Sequence, residues 1–131
     1  MSFPRRAAAV AALLVALTAP LAAQAPDATS PPLLPWSMQI AIREAQAAFQ
    51  EGEVPVGAVV VIDNQVIAAN HNRTEQFRDP LAHAEMLVIR DACRVFQYER
   101  LVEASLYVTV EPCAMCAGAV VLARLRQLVY G

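Results

Sequence analysis

The sequence predicts an α/β domain over residues 36–131, with helices layered on a central sheet. Three observations carry that class. Apolar residues recur at helical spacing between Met38 and Gln50, where Ile40, Ile42, Ala45, Ala48 and Phe49 fall on one face. Val54 to Ile62 is then a continuous run rich in β-branched residues, as expected of a strand buried on both faces. Beyond it, helical and strand-like segments alternate to give the order α-β-β-α-β-α-β. No internal repeat is visible.

Each element has a local signal. Gly52 closes the first helix, which begins near Met38, with Trp36 and Phe49 expected to pack it. Asp63-Asn64-Gln65 is turn chemistry, and Val66 to Ala69 reads as the returning strand of a hairpin. Asn70 to Leu81 is polar and loop-like, with Asp79-Pro80 ahead of a helix over Ala82 to Phe96. Leu106 to Val110 is another strand, Pro112 opens a helix to about Ala123, and Leu128 to Tyr130 starts a last strand.

Composition narrows the function classes. The formal net charge is −2, the chain has no lysine, and from Trp36 onward 8 arginines face 11 acidic residues. A nucleic-acid partner therefore has to bind through a local patch rather than an overall positive field. The 3 cysteines, Cys93, Cys113 and Cys116, cannot all pair, which argues against a disulfide scaffold and suits a reduced compartment with a metal or redox site.

Residues 1–35 stand apart from the domain. Arg5 and Arg6, the apolar run Ala7 to Leu17 and the small-x-small Ala23-Gln24-Ala25 have the form of a secretory signal, too short and interrupted for a membrane-spanning helix. Pro26, Pro31, Pro32 and Pro35 then mark a linker. The competing reading is a spurious extension upstream of Met38. We adopt that one, because the domain needs reduced cysteines, and expect a cytoplasmic protein without a membrane partner unless the signal is real.

The chemistry rests on His83-Ala84-Glu85 near one helix start and Glu111-Pro112-Cys113-x-x-Cys116 at another. Zinc takes deprotonated nitrogen or sulfur ligands, and a catalytic site leaves a fourth position for water. Cys113 and Cys116 lie three apart, so a helix presents both sulfurs on one side, and its N-terminus favours their thiolate forms. His83 supplies a third ligand. Glu85, two residues on, is placed to take a proton from an activated water and return it to a substrate. Together they match the H-x-E with P-C-x-x-C signature of zinc deaminases acting on nucleobases. Singly, each piece has a plainer meaning: a C-x-x-C is also a redox pair, a helical His is often structural, and a Glu in a first turn simply suits the helix dipole.

Longer stretches extend the match. Gly52-Glu53-Val54-Pro55-Val56-Gly57-Ala58, Asn72-Arg73, Asp79-Pro80-x-Ala82-His83-Ala84-Glu85, Leu106 to Ala119 and Val129-Tyr130-Gly131 resemble the cytidine and deoxycytidylate deaminase superfamily, closest to its bacterial tRNA-specific adenosine deaminases. The resemblance covers nearly all of residues 36–131. It implies a three-layer α/β/α fold with a central mixed sheet. It also implies zinc on His83, Cys113 and Cys116, Glu85 as proton shuttle, and Asn72 hydrogen-bonding the target nucleoside, with Ala84, Val54 and Pro55 lining the base pocket. The reaction implied is hydrolysis of the wobble adenosine of a tRNA anticodon arm to inosine by a homodimer. Two departures stand out: Leu81 replaces a small polar residue, and the family's further strand and helix beyond the Val129-Tyr130-Gly131 strand are absent, which leaves an uncovered sheet edge.

Alternatives from this pattern are a guanine, cytosine or dCMP deaminase, an inactive truncated zinc-binding fragment, or an exported redox protein. Cys93 is expected as a small core residue and His71 as a surface or pocket-rim group. Arg73, Arg78, Arg124 and Arg126 are candidates for phosphate contacts, and equally for solvated or paired charges.

Overall fold

The computed structural model of the chain describes residues 35–131, so the signal-like segment and most of the proline-rich linker lie outside the described residues. Within them the order is α1 (Trp36–Gln50), β1 (Gly57–Ile62), β2 (Gln65–His71), α2 (Thr74–Phe77), α3 (Ala84–Phe96), β3 (Ser105–Val108), α4 (Ala114–Leu122) and β4 (Gln127–Tyr130). The sheet order is β2-β1-β3-β4, with β1 antiparallel to β2 and β3, and β3 parallel to β4. This is the mixed-sheet, three-layer arrangement anticipated from sequence. No helix among the described residues is long and apolar enough to cross a membrane.

The two faces of β1 explain the layers. Successive strand side chains point to opposite sides. Ala58 and Val60 join one core cluster with Val88, Ala92, Leu106 and Val108, against which Ala119 and Val120 of α4 also pack. Val59 and Val61 join a second cluster with Met38 and Ala41 of α1. Both faces being covered, β1 needs apolar residues at every position, which is why its sequence runs without alternation.

The hairpin closes on Asp63 and Asn64, whose φ values of 48° and 59° give the doubly left-handed turn that matches strand twist. A bulge follows, where Val60 pairs with Ala68 but Val61 pairs with Val66. At the end of α1, Gly52 (φ 80°) turns the chain, and the amides of Gly52 and Glu53 return to the carbonyls of Phe49 and Ala48, a Schellman closure.

Several expectations shift. The first strand begins at Gly57 rather than Val54, because Val56 N–H bonds the carbonyl of Val54 across Pro55 in a three-residue turn. Proline has no amide to extend a ladder. The stretch read as loop contains the short helix α2. α3 starts at Ala84 and α4 at Ala114, each two residues later than expected. Trp36 and Phe49 do not pack α1: they are 44% and 74% exposed, its buried contacts coming from Ser37, Met38, Ala41, Ala45 and Ala48. β4 pairs only with β3 among the described residues, so its outer edge is open.

Candidate metal centre

Two helix starts converge. His83 is the residue preceding α3 and Cys113 the residue preceding α4, both in extended backbone conformation, while Cys116 lies one turn inside α4. The Cys113 and Cys116 sulfurs stand 3.8 Å and 3.6 Å from His83 Nδ1. All three ligand atoms lie within 4.8 Å of one another, the one such cluster among the described residues. Bond lengths of about 2.3 Å to sulfur and about 2.0 Å to nitrogen at tetrahedral angles place ligand atoms roughly 3.5–3.8 Å apart. The donor set and its spacing therefore fit a zinc ion, with a fourth position left over.

The sulfurs differ electrostatically. The backbone amide of Cys116, helped by that of Met115, holds the exposed Cys113 thiol below its ordinary value. Burial, reinforced by the nearby Glu85 carboxylate, pushes the Cys116 thiol well up. A cation among them would reverse that penalty, since it stabilises every anion around it. Glu85 is itself buried, at 3% exposure, with its carboxylate against the Cys116 sulfur.

A cavity of about 270 Å³ opens onto these groups, lined by Val54, Val56, Asn72, Thr74, His83, Glu85, Val110, Glu111 and Cys113. Asn72 is held from two sides. Its amide N–H bonds the carbonyl of Val56, and its Oδ1 accepts the N–H of Ala84, capping α3 from outside that helix. With Oδ1 committed, Nδ2 is the donor left for a ligand. Of the residues singled out from sequence, His83, Glu85, Asn72, Val54 and Cys113 share this cavity. Cys116 is fully buried and does not line it. Ala84 is fully buried and meets Asn72 through its backbone. Pro55 lines a separate groove along α1, with Ile42, Ala45 and Phe49.

Other residues fall elsewhere. His71 is a buried structural group rather than a rim residue: at 3% exposure it meets Glu44 Oε2 at 2.7 Å and Glu51 Oε2 at 3.1 Å. Arg73 pairs with Glu51 at 3.2 Å, and Arg126 approaches Glu103 at 3.8 Å. Cys93 packs half-buried against the larger core, its thiol pushed up by burial and by Glu99.

Sequence reading gave no role to Glu53, Thr74, Val110 or Glu111. Glu53 is 5% exposed and takes hydrogen bonds from Thr74, Glu75 and Gln76. Those partners are 21 to 23 positions away, and no linear pattern marks the pairing.

Residues 35–131 match the MafB19-like deaminase family. The chain is 54% identical over 94 residues to a tRNA-specific adenosine deaminase of Bacillus subtilis (strain 168), covering 72% of this chain and 58% of that protein. It superposes with TM-score 0.72 and 52% identity on a structure from work on A-to-I editing by tRNA:A34 deaminases at the wobble position of transfer RNA, covering 73% of this chain and 70% of that one. A guanine deaminase from Bacillus subtilis matches at TM-score 0.71 and 37% identity, over 73% of this chain and 62% of that one. The chain spans about three fifths of the length of the curated relatives it matches, between 58% and 63% of the first three.

Proposed function

We propose, on the premise that this chain belongs to the MafB19-like deaminase family, that it hydrolytically deaminates a nucleobase, the wobble adenosine of a tRNA anticodon arm becoming inosine. The observation that carries this is the convergence of His83, Cys113 and Cys116 beside a buried carboxylate in one small cavity. A zinc ion bound by those three residues supplies the Lewis acidity that activates water.

The protein's own groups do the rest. Glu85 takes a proton from the attacking water and passes it to the ring nitrogen next to the reacting carbon; it then takes the second proton from the newly attached hydroxyl and gives it to the amino group, which leaves as ammonia. Its burial keeps bulk water from competing for that proton. Asn72 Nδ2 orients the nucleoside, and Val54 and Val56 give the base an apolar wall. Exposed Val121 and Leu122 on α4 support a homodimer in which this face meets a second copy. A cytoplasmic location, where both cysteines stay reduced, belongs to the same reading.

Incubating the zinc-loaded chain with an anticodon stem-loop and assaying for inosine tests the proposal. Glu85→Ala is expected to keep its zinc and lose turnover by about 100-fold or more. Normal inosine formation by that variant refutes the role. Release of ammonia from free guanine, with the stem-loop untouched, favours the second reading, which the guanine-deaminase match supports.

A further inference from the structure

Val54 and Val56 line the cavity from one segment, and Asn72 and Thr74 from another. The two segments are joined by the backbone bond from Asn72 N–H to the Val56 carbonyl, at 3.1 Å. The second link is a side chain. Glu53 Oε1 accepts the Gln76 amide at 2.8 Å, and Oε2 accepts the Glu75 amide at 3.2 Å and the Thr74 hydroxyl at 3.3 Å. Glu53 directly precedes Val54 and follows the Schellman closure of α1, so its own backbone is fixed. The carboxylate thus spans from the end of α1 to the first turn of α2. A buried carboxylate with this many donors is held in place by charge-assisted hydrogen bonds.

We propose that Glu53 is a positioning residue that sets the separation of Val54 and Thr74, and with it which base the cavity admits. This rests on reading the cavity as the seat of a nucleobase. Burial alone raises the Glu53 carboxyl; the amides of Gln76 and Glu75, the Thr74 hydroxyl and the His71 ring outweigh it and hold the group below its ordinary value. The charges around it are His71 from β2, with Glu44 and Glu51 of the α1 segment on its ring, Arg73 paired to Glu51, and Glu75 itself.

The test uses the full zinc-loaded chain with Glu53→Gln, which keeps the volume but turns an NH₂ toward amide donors, and Glu53→Asp, which keeps the charge on a shorter arm. Titrating the Glu75 and Gln76 amide resonances with pH reads the contact directly. Both should move with Glu53 protonation in the parent chain and not in Glu53→Gln. In deamination, Glu53→Gln should lose about 10- to 100-fold in kcat/KM, chiefly through KM, at unchanged zinc content. Glu53→Asp should restore the amide titration and shift the ratio of adenosine to cytidine bound.

Unchanged KM and base preference in both variants overturns the proposal, leaving a purely structural contact. Binding is also read without turnover, from shifts of Val54, Val56 and Thr74 resonances with adenosine or cytidine. Parent chain that binds but does not deaminate, with preference altered in the variants, upholds Glu53 and defeats the deaminase reading. Parent chain that binds neither base defeats both.

Discussion

The two helices that carry the candidate ligands are seated very differently. α3 buries Ala84, Glu85, Leu87, Val88, Ile89 and Ala92, and its start is fixed by Asn72. α4 buries only Cys116, although its nine residues, Ala114–Leu122, are apolar nearly throughout. One half of the centre is held by the core; the other is held by a single buried thiol and partial contacts from Ala119 and Val120. A metal bridging His83 to Cys113 and Cys116 would therefore tie a firm element to a loosely seated one, as well as supply chemistry.

That contrast can be broken experimentally. Chelating zinc should have the largest effect, a loss of about 4 kcal/mol where free metal had stood a thousandfold above its Kd. Hydrogen exchange should accelerate first in Ala114–Leu122, with α3 still protected; simultaneous loss in both helices contradicts unequal seating. Next comes Leu87→Ala. Leu87 is 2% exposed, and its removal should cost about 3 kcal/mol in urea denaturation. Asn72→Ala should cost about 1–2 kcal/mol by stripping the acceptor from the Ala84 amide, with faster exchange at the start of α3 and none at α4. Smallest is Leu122→Ser. At 79% exposure its loss should change the stability of the monomer by no more than about 0.5 kcal/mol, and a larger drop means that the face is covered in solution.

What the sequence made legible follows the range of the interactions. The candidate ligands could be read because helix geometry places Cys113 and Cys116 together locally, and because His83 and Glu85 sit at a helix start with recognisable spacing. β1 could be read from its unbroken apolar run, less the three residues that Pro55 diverts. The roles of His71 and Glu53 could not. Each is defined by partners 20 to 27 positions away, and a polar residue beside a turn looks the same whether solvated or buried. Trp36 and Phe49 misled for a related reason. The close approach of α1 to the sheet favours small residues there, so Ala41, Ala45 and Ala48 are buried and its aromatics remain outside.

That approach is tight at Gly57. A methyl group there would sit 2.0 Å from the Ala41 carbonyl oxygen and 2.5 Å from the Ala45 nitrogen. Neither is the end of a side chain that can swing aside, so any larger residue drives α1 away from β1 and pulls Glu44 from His71. In a library covering every position, Gly57 should be about as intolerant of replacement as the three candidate ligands, though it does not line their cavity. An engineer reshaping this cavity has freedom along its rim, but none at that crossing.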